Sequence, residues 1–298
     1  MSTTARYRVR HETVYRYGGD VAHSHQLLHL TPRPLPLQTC TAHSLELRPP
    51  PGLRRDDVDA FGNPVTRLEY DRPHERLDVI AEAEVEVRAP EPLDPQASLP
   101  WEEVRSALVY SGNAPSAHIL EACRYRMESA YVRIKQTFSD YTESAFTEGR
   151  PILAAALELM HQLHRDFSYA PGTTDVKTSV LDAFAARRGV CQDFAHIMIA
   201  CLRSRGLAAR YVSGYLRTQP AGTNLASWVG ADASHAWVSV FCPPLGWVDL
   251  DPTNDVAIRL DHITVAWGRD FGDVSPLRGV IVGGGQHRLS VRVSVQAE

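Results

Sequence analysis

The chain has 298 residues, 31 Lys and Arg against 35 Asp and Glu for a formal charge of −4, and 44% apolar with 22% charged residues. That length implies about two domains, and the composition excludes a disordered tail or a collagen-like rod. The near-balanced charge, with an isoelectric point near 6.4, gives no electrostatic footprint for nucleic acid or an anionic membrane.

The first ten residues carry Arg6, Arg8 and Arg10 and no apolar h-region, and no window approaches the ~18 apolar residues of a membrane span. A cytoplasmic protein with no membrane contact is therefore expected. Five cysteines, Cys40, Cys123, Cys191, Cys201 and Cys242, are an odd and widely spaced set without a Cys-x-x-Cys pair. This argues against a disulfide framework and a Cys-rich structural zinc site, and leaves room for one reactive thiol. No cofactor motif is present, and none sets an oligomeric state.

From Tyr7 to about Ala89 apolar and polar residues alternate in short runs, Tyr7 to His11, Val14 to Tyr17, His43 to Leu47 and Ala83 to Val87, the period of half-exposed strands. Gly18-Gly19-Asp20, Pro49 to Gly52 and Asp59 to Pro64 read as the turns between them. An antiparallel β domain is predicted over residues 1–95, ending in a linker where Pro90, Pro92 and Pro95 forbid regular pairing. His23, His25 and His29 alternate along a strand-like segment with no acidic or Cys partner at ligand spacing, and read as surface-strand residues rather than a metal site.

Residues 96–298 are then predicted to form a second unit, a helical segment and a core of helices and strands with a C-terminal strand, so that the chain is α+β. The period becomes helical around Ile119 to Met127, over Ile152 to Leu163 after Gly149-Arg150-Pro151, and from Ser179 to Arg188 with Gly189 as the stop. Strands follow at Ala209 to Leu216, His235 to Phe241 and Trp247 to Asp251, and a last one runs through Leu289 to Val295.

The break at Gly189 places Cys191 at the opening of a helix. Unpaired N–H groups and the positive end of the helix dipole there favour a thiolate and can hold an oxyanion. Cys201, mid-helix among Ile199, Ala200 and Leu202, is a core residue by the same logic. Downstream, two strands flank the turn Cys242-Pro243-Pro244. A symmetric hairpin that pairs Phe241 with Leu245 sets Trp237 opposite Asp249 and His235 opposite Asp251, bringing imidazole and carboxylate into hydrogen-bond reach by register alone. His196 faces another side of its helix and reads as a packing or hydrogen-bonding residue. Asp193, in the first turn, reads as a carboxylate complementing the dipole.

Gly189-Val190-Cys191-Gln192-Asp193-Phe194-Ala195-His196, His235-Ala236-Trp237-Val238 and Trp247 to Asn254 together resemble the transglutaminase-like superfamily over roughly residues 150–255. The β-rich start through Asp59-Ala60-Phe61-Gly62-Asn63 resembles the N-terminal region of bacterial members, and Gly268 to Val274 resembles their C-terminal segment. The resemblance implies a papain-like core of helices packed on an antiparallel sheet, with Cys191 as nucleophile, His235 as base and acid, and Asp251 as the orienting carboxylate. It implies an oxyanion held by the Cys191 N–H and a second donor, for which Tyr169 and Trp237 are candidates; a papain-like glutamine six residues before the cysteine is missing, Ala185 standing there.

The expected activity is acyl transfer on peptide or protein amides through a thioester, with hydrolysis favoured, and no metal or cofactor. Three alternatives stay open: a protein-glutamine transglutaminase, a peptide-binding scaffold with a vestigial site, and a metallohydrolase built on Cys191, His196 and His235.

Overall fold

A computed structural model describes residues 3–109, 115–174, 178–217 and 234–298. The chain opens with one 25-residue strand, β1 (Thr4–Leu28). Its alternate residues Tyr7, Val9, His11 and Thr13 are buried. Arg6, Arg8 and Arg10 point outward and meet Glu86, Glu84 and Glu82 directly across the ladder, three exposed ion pairs that contribute little beyond register. Then come β2 (Gln38–Arg48), β3 (Leu53–Val58), β4 (Pro64–Tyr70) and β5 (His74–Arg88). β5 and β4 follow one another along one edge of β1, flanked by β2 and β3.

Gly18-Gly19-Asp20 is not a turn, as its composition suggests, but an irregularity inside β1: the pairing with β5 slips between Arg16 and Val21, and on the other edge a slip follows between Val21 and His23. The slip persists because the Gly18 N–H finds carbonyls on the opposing chain, those of Gly284 (2.9 Å) and Gln286 (2.7 Å).

The middle of the chain supplies α1 (Trp101–Ala107), α2 (Ala117–Cys123), α3 (Gln136–Tyr141), α4 (Ile152–Asp166), β6 (Ser168–Tyr169), α5 (Val180–Ala186), β7 (Arg188–Gly189) and α6 (Cys191–Ser204). It continues with β8 (Ala209–Leu216), β9 (His235–Phe241), β10 (Trp247–Asp251), β11 (Val256–Ala257), β12 (His262–Gly268) and α7 (Phe271–Val274). Among the described residues the second sheet runs β11-β10-β9-β8-β12. α6 is buried from Asp193 to Arg203 and packs on β8 and β9 with α3, α4 and α5 around it. Its Arg203 is 1% exposed and donates to the carbonyls of Tyr125, Met127, Ala209 and Arg269 and to Ser129 Oγ, so the buried cation is fully partnered.

The last two strands, β13 (Leu277–Gly283) and β14 (His287–Ala297), lie along the second edge of β1. The division expected at residue 95 grouped the C-terminal strand with the catalytic core; its hydrogen bonds put it in the first sheet.

Side chains of the first sheet cap the free edge of β12. Gln38 donates to the Thr264 carbonyl (2.7 Å) and accepts from its N–H (2.8 Å), and Asn63 makes the same exchange with Trp267 (2.8 and 2.9 Å). Two carboxamides thus act as a substitute strand. Arg33, which donates to Asn63 Oδ1, stacks on Trp267, whose ring is also 3.8 Å from the Arg210 guanidinium carbon.

His23 and His25 are exposed, as a surface strand requires, but His29 lies beyond the end of β1 and is 2% exposed. Its ring nitrogens face the Ser275 carbonyl (3.1 Å) and Asp59 (3.3 Å), carboxylate and carbonyl coming from distant segments that sequence spacing does not reveal.

Candidate active site

Cys191 is the first residue of α6, half-buried, with Val190 in extended geometry as the N-cap. Asp193 Oδ2 accepts from the Val190 N–H (2.8 Å) and from Thr174 Oγ1 (2.7 Å), closing the helix start with a carboxylate at the positive end of the dipole. Gly189 makes this possible: a Cβ there would sit 2.8 Å from the Asp193 carboxyl carbon. The parallel pairing of β6 with β7 sets Tyr169 beside Gly189, two residues before the thiol.

His235 opens β9, and Asp251 closes β10. Asp251 is completely buried and His235 is 1% exposed, and His235 Nε2 donates to Asp251 Oδ2 at 2.8 Å. The hairpin that joins them differs from the expected register. Phe241 pairs with Trp247, and Asp249 pairs with Ser239, because the loop spans Cys242 to Gly246 and is closed by a bond from the Cys242 N–H to the Gly246 carbonyl (2.7 Å).

The shift is two residues. An even shift keeps every side chain on its expected face and turns both expected pairs into diagonal contacts. His235 still reaches Asp251, and Trp237 still reaches Asp249, its indole N–H donating to Oδ2 at 3.2 Å. That bond commits the Trp237 N–H and removes it as a second oxyanion donor.

The carboxylate of Asp251 is saturated. Oδ1 accepts from the backbone N–H groups of Thr253 (2.9 Å) and Asn254 (3.3 Å); Oδ2 accepts from His235, from Asn254 Nδ2 (2.7 Å) and from His262 Nε2 (3.1 Å). Burial by itself favours the neutral acid, but the charge of His235 and hydrogen bonds from both histidines outweigh it and hold the carboxyl far below its usual range. Burial likewise opposes a charged His235, yet the charges of Asp251 and Cys191 prevail and raise its pKa from 6.5 to about 10. The ring is therefore an imidazolium at neutral pH. Its Nδ1 is buried with no hydrogen-bond partner of normal geometry. Cys191 acts on the ring both by its charge and by a side-chain hydrogen-bonding contact, each of which favours the imidazolium.

His196 does not join this group. It stacks on Tyr131 (5.6 Å between ring centres), accepts from the Phe271 N–H (3.2 Å), and burial lowers its pKa to about 4. The Gly268 to Val274 segment thus has a packing partner in His196, and the metal set Cys191, His196 and His235 is not assembled. Among the described residues the ligand-type atoms that do converge are those of His235, Asp251 and His262. Both ring nitrogens point at one carboxylate oxygen at hydrogen-bond separations.

Sequence reasoning missed His262, eleven residues beyond Asp251 on an edge strand with no motif around it. It also gave Asn254 no role, although an Asn three residues after an Asp is a turn signal that links their side chains.

Residues 7–86 match the bacterial transglutaminase-like N-terminal region, and residues 139–252 match the transglutaminase-like superfamily. An uncharacterized protein of Mycobacterium tuberculosis is 38% identical over 288 residues, covering 94% of this chain and 89% of its own. One of Mycobacterium leprae is 35% identical over 294 residues, covering 97% and 98%. A Pseudomonas aeruginosa protein named protein-glutamine gamma-glutamyltransferase is 33% identical over 129 residues, 41% of this chain and 18% of that protein. Among solved structures, a candidate cysteine protease from Cytophaga hutchinsonii superposes on 99% of this chain and 91% of its own with a TM-score of 0.69 at 18% identity, a likeness of fold.

Proposed function

The chain belongs to the transglutaminase-like superfamily, and from that premise we propose that it is a cysteine-dependent acyl-transfer enzyme acting on peptide or protein amides, with Cys191, His235 and Asp251 as its triad. The observation that carries this reading is the fully buried pair of His235 and Asp251 at 2.8 Å, with an imidazolium that responds to the charge of a thiol at a helix N-terminus.

In this reading the Cys191 thiolate attacks the amide carbonyl carbon. The Cys191 backbone N–H, unpaired at the first position of α6, faces the developing oxyanion. His235 gives its proton to the departing amine, leaving a thioester. The neutral imidazole then takes a proton from water, whose oxygen attacks the thioester carbonyl, and the released thiolate and the imidazolium restore the starting state. Asp251 holds the ring's orientation and stabilises its charge throughout.

Hydrolysis is the favoured outcome. Transfer to a second amine is the other reading, favoured by the partial match to a protein named as a glutamyltransferase.

A short pulse of iodoacetamide near neutral pH, followed by peptide mapping, tests the nucleophile. Cys191 is expected to react well ahead of Cys201 and Cys242, whose thiols burial pushes up, and ahead of Cys40 and Cys123. Equal labelling of all five, or preference for another, overturns the assignment. A panel of peptide electrophiles then defines side-chain preference, and incorporation of a fluorescent alkylamine separates transfer from hydrolysis.

A further inference from the structure

The triad carboxylate has a partner that a three-residue description leaves out. Asp251 Oδ2 accepts from His262 as well as from His235, and the Trp237 ring stands edge-on to His262 with centres 5.3 Å apart. His262 is 4% exposed. Around it lie Asp251 on β10, His235 and Trp237 on β9, and its own neighbour Asp261, which pairs with Arg217 at 2.9 Å.

Beyond it is a cavity of about 680 Å³ between the proline-rich linker and the second sheet. His262, Arg210, Asp249 and Arg259 line this cavity with apolar residues from the linker, and Asp251 does not. The His262 ring therefore stands between the triad carboxylate and a space large enough for many waters.

We propose that His262 is a positioning residue of the acyl-transfer site, donating Nε2–H to Asp251 so that the carboxylate is fixed toward His235, and closing the cavity behind it against water. The inference rests on the triad reading above. An ionised carboxylate only accepts, so the proton in this bond belongs to His262. Burial, opposed in part by Asp251, lowers the pKa of His262 and keeps the ring neutral, so a second cation does not compete with His235 for the carboxylate. One imidazole beside Asp251 is thus charged and the other is not. Without the second donor Oδ2 is shared by fewer hydrogen bonds, and its full charge acts on His235. Without the ring, water enters and screens the pair.

Three substitutions separate the two roles: His262→Gln keeps a donor, His262→Phe keeps the ring volume without the donor, and His262→Ala removes both. The readouts are the pH profile of Cys191 alkylation in the full chain and the titration of the His235 ring by ¹⁵N NMR, with circular dichroism to verify folding. His262→Gln is expected to stay within about threefold of the parent rate, with its alkaline limb unmoved. His262→Phe should lose on the order of tenfold and move the limb upward, and His262→Ala should lose more and move it downward.

A His262→Phe protein with the parent rate and the parent His235 titration overturns the proposal, as does a His262→Gln protein as impaired as His262→Ala. The NMR titration needs no turnover. If Cys191 in the parent proves unreactive while the ring titration still moves in His262→Phe, the acyl-transfer reading fails and the link between His262 and the Asp251–His235 pair stands.

Discussion

Replacing Asp251 by Asn is the sharpest perturbation of the site, because the carboxylate accepts hydrogen bonds on both oxygens. On one side it faces the N–H groups of Thr253 and Asn254, and on the other two imidazoles and the Asn254 carboxamide. An asparagine in either orientation turns its own NH₂ toward donors. One unmatched set costs about 1–3 kcal/mol, so Asp251→Asn is expected to lower stability by about 2 kcal/mol in urea titrations while remaining folded by circular dichroism.

The chemical effect is larger. The raised pKa of His235 rests first on the Asp251 charge and then on Cys191, against an opposing cost of burial, so the neutral substituent pulls it down. The imidazolium is then scarcer at pH 7.5, and turnover of a peptide amide should fall by up to about 10⁴-fold.

Asp249→Asn is the control. Asparagine still offers an oxygen to the Trp237 N–H, and Arg210 keeps Glu121 at 3.3 Å, so activity should stay within about threefold. A severe loss in Asp249→Asn with Asp251→Asn near parental would refute both the diagonal contact and the triad.

Gly214→Ala should cost about 2–4 kcal/mol in urea unfolding, because the new Cβ would lie 2.8 Å from Trp237 Cζ3 and against the Ile263 carbonyl; an unchanged midpoint would mean that both the indole and the β12 backbone give way freely. Acid sensitivity should come from His11 and His196, both held down to about 4 by burial. The unfolded chain takes up these protons near 6.5 and the folded chain does not, so stability falls as pH drops from 6.5 through 4, by on the order of 3 kcal/mol for each. His235 acts with the opposite sign: its contribution is complete below 6.5 and is lost as pH rises through about 10. Thermal melts from pH 4 to 8 check the acid side, and an acid limb unaltered in His11→Gln would show that the titration of this buried ring does not govern it.

How far the chain could be read varied with the range of the interaction. The strands from Ala209, His235 and Trp247 end where alternation and turn residues end, because local patterning sets strand limits. The hairpin register missed by two because Leu245 and Gly246 belong to the loop. Its functional consequence survived because side-chain facing has a period of two.

Gly18-Gly19-Asp20 failed as a turn for a different reason. Its backbone is satisfied by Gly284 and Gln286, more than 260 positions away, and no local composition encodes that. His29 with Asp59 and His262 with Asp251 are hidden in the same way, each pair joined only by tertiary placement.

The long first strand has a consequence for how the molecule can be taken apart. Tyr7 lies opposite Ala297, and the ladder continues to Tyr17 opposite His287, so β1 and β14, far apart in the sequence, are sewn together and the segment between them runs as a closed circuit. A cut in the segment between Pro90 and Pro95 would open that circuit without releasing either piece: β1 to β5 would stay bonded to β13 and β14, which remain covalently part of the fragment that holds α6 and the second sheet. Conversely, removing residues 277–298 would strip a whole edge from a strand placed at the opposite end of the sequence.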